Sequence, residues 1–217
     1  MRGVAKDLTQ EAPNPTVEDI EFEFRLKPSD DEHLEPYILA FDGEVNLWDD
    51  DVGRERVVGT ISGHRIDLVS AMHDGLTQGE ILECLTPEIA DFADTVLQNS
   101  RCMLPSSEGD TLEQEPCDCL VYIARLWVEP QYRSQGMGSA LLRRLAATID
   151  TEHCLIALKA HPIRQDPSNA ATEEEIARVK RFYERMGFET ASGEFMVKDA
   201  RRCEAMKKRL AGRRQAD

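Results

Sequence analysis

Tyr132-Arg133-Ser134-Gln135-Gly136-Met137-Gly138-Ser139-Ala140-Leu141-Leu142 lies just beyond a long apolar run, Leu120-Val121-Tyr122-Ile123-Ala124-Arg125-Leu126-Trp127-Val128. Glu129 and Pro130 join the two. The run reads as a buried strand and the glycines as a turn. The residues after the turn read as a helix burying Leu141, Leu142, Leu145 and Ile149, with Arg143 and Arg144 facing outward. Glycine accepts conformations that let several backbone N–H groups converge, and a helix N-terminus adds partial positive charge at the same point. Strand, glycine turn and helix in that order describe a phosphate or pyrophosphate cradle.

Two common owners of such a turn fail on particular residues. A nucleotide P-loop would end in Gly-Lys-Ser/Thr, whereas Gly138 is followed by Ser139-Ala140. A dinucleotide fingerprint would have a third glycine in place of Leu141. It would also end the next strand on an acid, where Lys159-Ala160-His161 stands. What remains, Arg133-x-x-Gly136-x-Gly138, resembles the coenzyme A-binding segment of the GCN5-related N-acetyltransferase (GNAT) superfamily. A second stretch, Arg178-Val179-Lys180-Arg181-Phe182-Tyr183-Glu184-Arg185-Met186-Gly187-Phe188, resembles that family's closing helix, with Gly187 as its C-cap. Ile176, Val179, Tyr183 and Met186 share one helical face, so Tyr183 also reads as a core aromatic, though a buried hydroxyl still needs a partner.

The resemblance covers residues 119–198 and departs from the family in two places. An asparagine often found seven residues before the tyrosine is here Ile176. The family usually inserts two helices between its first and second strands, whereas here three strands come first. The resemblance therefore says little about the acceptor.

A period-two pattern marks Ile20 to Leu26 as a strand, and Pro36 to Phe41 continuing through Val45 to Trp48, and Val57 to Leu68, whose glycines suggest a bulge, read as two more. Asp49-Asp50-Asp51 between two of them reads as an acidic hairpin loop. An EF-hand would need glutamate where Thr60 stands. From Thr77 to Leu97 the period becomes helical, and Pro87 divides the stretch into two helices. A polar loop, 103–118, leads to strand 119–128, helix 137–149, strand 154–159, helix 172–186 and strand 193–198. Residues 1–17 read as a flexible lead-in, 18–199 as one α/β acetyltransferase domain, and 200–217 as a basic helical tail. The resemblance implies a mixed, mostly antiparallel central sheet flanked by helices, with its fourth and fifth strands splayed.

Composition sets expectations about partners. Residues 1–120 carry 28 acidic and 8 basic side chains, against 13 and 18 in residues 121–217. An acidic N-terminal half argues against nucleic acid and for a cationic partner, and the basic tail permits a homodimer. No apolar run reaches the ~20 residues of a membrane helix, and no hydrophobic segment follows the first residues. The expectation is a cytoplasmic protein with no membrane partner. Its six cysteines read as free thiols, and no histidine cluster completes a metal site around Cys117-Asp118-Cys119.

The resemblance implies acetyl-CoA as cosubstrate, with no metal, and transfer of acetyl to a primary amine on a small molecule or a protein. Main-chain groups of Leu126, Trp127 and Val128 would pair with the pantetheine arm. The segment Arg133, Ser134, Gln135, Gly136, Met137, Gly138 and Ser139 would hold the pyrophosphate. Tyr183 would protonate the leaving thiolate. The base is open: strand 120–128 carries no acid, leaving His64 and Asp67 on the preceding strand, or water. A non-catalytic acyl-CoA-binding module is the competing reading.

Overall fold

Ile20, Phe22 and Phe24 alternate with Glu21, Glu23 and Arg25, and this pattern forms β1 (Ile20–Pro28), an edge strand of a seven-stranded sheet. The computed structural model describes residues 20–49, 53–97, 119–151, 154–163 and 170–200. β1 pairs antiparallel with β2 (Ile38–Asp49), β2 with β3 (Arg54–Asp67), and β3 with β4 (Cys119–Val128). β4 and β5 (Cys154–Lys159) form the parallel pair. A parallel pair needs a crossover, which contains helix α4. β6 (Glu189–Ser192) and β7 (Phe195–Asp199) complete the order β1-β2-β3-β4-β5-β7-β6, with β7 antiparallel to β5. The expected mixed, mostly antiparallel sheet with helices on its flanks is present.

Three strands precede the helices, as the sequence suggests. A helix the sequence reading did not call, α1 (Leu68–His73), precedes the expected helical stretch, which holds α2 (Gln78–Leu82), α3 (Pro87–Phe92) and a π-helical turn, Ala93–Leu97. Pro87 sits in the first turn of α3, where a missing N–H costs nothing. The later helices are α4 (Met137–Thr148) and α5 (Glu173–Arg185). Apolar side chains form a core on each side of the sheet. One joins Phe41, Val45, Ile61, Val121 and Ile123 to Leu141, Leu145 and Tyr183 of α4 and α5. The other joins Ile38, Ile66, Leu120, Tyr122 and Phe195 to Ile81, Ile89 and Phe92 of α2 and α3.

Four further features differ from the sequence reading. β3 ends at Asp67, one residue early, because the Asp67 carboxylate accepts a 2.9 Å hydrogen bond from the Ser70 N–H and starts α1. β6 is a further strand, only four residues long, with no apolar pattern to announce it. Bulges interrupt the pairing of β3 with both its neighbours, but only one lies on β3 itself, at Val58, and the other lies on β4. Cys119 and Cys154 face each other across β4 and β5 with Cα atoms 4.6 Å apart and form a disulfide, so the free-thiol expectation fails for them. Cys84 is free and exposed. The lead-in, the 103–118 loop, Asp50, Asp51, Cys102, Cys117 and residues 201–217 lie outside the described residues. Among the described residues no helix is long and apolar enough to cross a membrane.

Candidate active site

β4 and β5 stay paired only from Cys119 opposite Cys154 to Ile123 opposite Leu158. Beyond that point Ala124 to Val128 continue along β3 alone, while Lys159 pairs with Phe195 of β7. The strands part where β4 takes in an extra residue: Gly63 pairs with Ile123 and Ser62 with Arg125, leaving Ala124 unpaired. A bulge bends its strand and increases its twist, which separates it from a neighbour. Gly63 is required here, since a Cβ on it would run into the Tyr122 carbonyl. Past the bulge Leu126 and Val128, opposite Ile61 and Gly59, are half-buried against the α4–α5 core, whereas Trp127 lies opposite Thr60 on the other face.

The end of β4 leads straight into the glycine turn. The Glu129 N–H donates to the Val58 carbonyl (2.9 Å), and Pro130–Tyr132 form one 3-10 turn. Arg133 Nε donates to the Val128 carbonyl at 2.8 Å, pinning the turn to the strand. Ser134 and Gly136 adopt left-handed conformations, with φ of 64° and 83°. The Ala140 N–H bonds the Gly136 carbonyl (2.9 Å), so the N–H groups of Met137, Gly138 and Ser139 precede the helical ladder. The other four α-helices are capped by side chains, Asp67, Thr77, Thr86 and Thr172, while α4 has none. Arg133, Ser134, Gln135 and Gly136 are exposed, Gly138 and Ser139 half-exposed, and Met137 is buried. Gly138 allows close packing: a Cβ there would stand 3.2 Å from Cζ of Phe182 and 3.9 Å from Leu126.

Tyr183 is held from the far end of α5. The Phe188 N–H reaches the Tyr183 carbonyl (3.1 Å) and the Gly187 N–H reaches that of Glu184 (3.0 Å), with Gly187 at φ 86°. This is the Schellman pattern, completed by ring contact between Tyr183 and Phe188 at 5.6 Å. Lys198 Nζ adds a bond to the Met186 carbonyl at 2.9 Å. Phe182 packs on the other side of Tyr183 at 5.0 Å. Burial raises the Tyr183 pKa well above the usual phenol value, so it is protonated at neutral pH. No hydrogen bond engages its hydroxyl among the described residues.

His64 does not meet Tyr183. It pairs with Ala40 and Tyr122 and lies on the α1–α3 face of the sheet, whereas Tyr183 belongs to the opposite core. Burial lowers its pKa against the opposing influence of Asp42, and its Nδ1 is buried with no partner among the described residues. Asp67 is occupied as the cap of α1. Beside His64, Tyr122 donates to Glu88 of α3 at 2.8 Å, and burial, then that carboxylate, pushes its pKa upward. One polar pair escaped the sequence reading: His161, just past β5, has Nδ1 2.9 Å from Oε2 of Glu194 in the β6–β7 turn. The two are far apart in sequence and meet only because β7 pairs with β5, so no local pattern signals them. Among the described residues no group of three or more His, Cys, Asp or Glu side chains is arranged to hold a metal.

Residues 102–190 match the family model described as an acetyltransferase (GNAT) domain. No curated protein matches the sequence. Among solved structures, the chain is similar to AtaTR bound with AcCoA at 12% identity and TM-score 0.43, covering 87% of this chain and 98% of that one. AtaT complexed with acetyl-methionyl-tRNAfMet has 12% identity and TM-score 0.40, covering 87% and 99%. The KacTA–DNA complex has 10% identity and TM-score 0.39, covering 87% and 99%. The expectation of no nucleic-acid partner is therefore corrected, since two structures similar to this chain are complexes with nucleic acid. Its physical weakness is that net charge averages over a surface: residues 121–217, with 18 basic against 13 acidic side chains, contradict the mean. The opening between β4 and β5 and the uncapped glycine turn both lie within residues 102–190, the stretch that matches the acetyltransferase (GNAT) domain, whose cosubstrate is acetyl-CoA.

Proposed function

We propose that the chain transfers acetyl from acetyl-CoA to a primary amine by direct attack within a ternary complex. The observation that carries this reading is the open N-terminus of α4, reached from a strand that has left its parallel neighbour. The pantetheine arm enters the opening and pairs with main-chain groups of Leu126, Trp127 and Val128. The pyrophosphate rests on N–H groups between Arg133 and Ser139, and the Arg133 guanidinium adds charge. The ammonium of the acceptor first loses a proton. Its nitrogen then bonds the thioester carbon, the C–S bond breaks, the sulfur takes a proton, and the acylated nitrogen releases its second proton to water. Tyr183 supplies that proton, a role supported by a phenol kept neutral through burial, with no hydrogen bond to its hydroxyl among the described residues. Holding amine and thioester together, with backbone N–H groups polarising the carbonyl, supplies much of the rate.

Calorimetric titration with acetyl-CoA tests the cofactor half of this reading, and absence of heat at millimolar cofactor would refute it. Mass spectrometry of products tests the acceptor half. The panel holds polyamines, peptides with free amino termini or lysines, and aminoacyl-tRNA, whose ester also presents a primary amine. If acetyl-CoA binds and no panel amine is acetylated, the amine-transfer reading fails.

A further inference from the structure

We propose that His161 is the general base that deprotonates the acceptor amine and that Glu194 is its positioning residue. This rests on the amine-transfer reading above. Three observations support it. First, His161 stands just past the point where β4 and β5 separate. Their last pair is Ile123 with Leu158, β5 ends at Lys159, and the His161 N–H folds back onto the Lys159 carbonyl at 2.9 Å. The His161 backbone therefore follows directly on the β5 edge of the opening, with the bulged segment of β4 on the other edge, while its imidazole reaches Glu194 on the β7 side. Second, the imidazole is oriented. Nδ1 meets Oε2 of Glu194 at 2.9 Å, and a carboxylate there fixes the tautomer with hydrogen on Nδ1 and a lone pair on Nε2. Third, the pair is both anchored and accessible. The Ala160 N–H donates to the Glu194 carbonyl (2.8 Å), and Lys180 Nζ donates to the Gly193 carbonyl (2.7 Å), so the turn carrying Glu194 is tied to β5 and α5. The His161 side chain is 45% exposed, and Nε2 has no partner among the described residues.

His64 offers the opposite arrangement. Its Nδ1 is enclosed and unpartnered, and it lies on β3, a strand away from the opening. In the proposed step the ammonium gives its proton to Nε2 of His161. The amine nitrogen bonds the thioester carbon, the thiolate leaves with the C–S electron pair and takes a proton from the acid, the acylated nitrogen releases its second proton to water, the acid regains a proton from solvent, and His161 returns its own to solvent. Of the charged groups beside the pair, Lys159 of β5 holds its Nζ over the Phe195 ring and Lys180 of α5 bonds the turn that carries Glu194.

The test compares His161→Gln, Glu194→Gln and His64→Gln. Each is assayed with the fastest primary amine of the panel and with hydroxylamine, a nucleophile already neutral at pH 7. A lost base slows alkylamine transfer by about 100-fold or more, leaves only the rise of kcat/KM that the amine's own ionisation gives, and leaves hydroxylamine transfer nearly unchanged. Glu194→Gln should slow alkylamine transfer by less and likewise spare hydroxylamine. A merely structural ion pair would slow both nucleophiles equally and leave the pH profile in place, overturning the proposal. So would that change of profile in His64→Gln but not in His161→Gln. Acetyl-CoA affinity should match wild type in all three variants. If wild type acetylates no panel amine, the failure lies in the amine-transfer reading, and the base assignment falls with it. An active wild type with an indifferent His161→Gln overturns the base assignment alone.

Discussion

Gly136→Ala and Gly138→Ala sit two residues apart in one turn and should fail for opposite reasons. Gly136 holds φ at 83°, and a Cβ built there meets nothing within 4 Å. Its whole cost is therefore conformational, about 1–2 kcal/mol for an L side chain in the left-handed region. For a chain of this size that lowers Tm by about 2–8 °C. Gly138 already lies within α4, but its added Cβ would stand 3.2 Å from Cζ of Phe182. Alanine there gains about 1 kcal/mol of helix propensity and loses it in moving a half-buried ring, so global stability should stay near wild type. Both variants disturb the N–H groups of residues 137–139. Misaligning one charge-assisted hydrogen bond worth about 1.5–3 kcal/mol weakens acetyl-CoA by roughly 10- to 150-fold. Urea unfolding and calorimetric titration read the two quantities separately. If Gly136→Ala loses stability yet binds acetyl-CoA like wild type, the turn is a structural corner and the pyrophosphate lies elsewhere.

Tyr183→Phe removes one oxygen from a ring packed between Phe182 and Phe188, so urea unfolding should shift by less than about 1 kcal/mol, while kcat falls about 100-fold or more. Unchanged kcat removes Tyr183 as the acid. Stability should also fall in alkali. Tyr122 and Tyr183 have raised folded-state pKa values, so their contribution is complete below the ordinary phenol pKa and is lost as pH rises above it. Above about pH 10 each costs ~1.4 kcal/mol per pH unit, and urea midpoints between about pH 9 and 11, taken for wild type and Tyr183→Phe, should show a shallower fall in the variant. Thr172→Ala removes the hydroxyl that accepts from the Glu175 N–H (3.3 Å), which should cost about 1 kcal/mol. Because Tyr183 is fixed by the other end of α5, kcat should be unaffected, and a parallel loss of kcat would show that the helix acts as one unit.

The glycine turn, α4 and the close of α5 were legible because each carries a local chemical signature: positive-φ glycines, an apolar stripe at helical spacing, and Gly187 following the last helical turn. Three strands before the helices were legible too, the first from its alternation. What the sequence concealed has a common physical character. Asp67 reads as a strand carboxylate until the Ser70 N–H is seen bonded to it. The Cys119–Cys154 disulfide and the His161–Glu194 pair depend on which strands become neighbours, information that no window of a few residues contains. β6 is too short and too polar to register as a strand.

The bulge in β4 was hidden for another reason, and its consequence can be tested. Tyr122, Ile123, Ala124, Leu126, Trp127 and Val128 are all apolar or aromatic, so Arg125 alone marks the change of phase in the pattern. Val121 and Ile123 face the α4–α5 core, and strict alternation would send Arg125 and Trp127 there too. The extra residue reverses the phase, placing Leu126 and Val128 in that core and Arg125 opposite Ser62. Deleting Ala124 should therefore yield a regular strand that keeps every remaining side chain on its present face and preserves the pairs with β3. The core should survive, with urea unfolding still cooperative. What should be lost is the bend that parts β4 from β5, allowing the two strands to keep pairing past Ile123 and Leu158. Acetyl-CoA affinity should then drop by more than tenfold, about 1.4 kcal/mol, in a protein that still folds. A folded deletion variant with wild-type affinity would show that the opening is imposed by α4 and α5 rather than by this single residue.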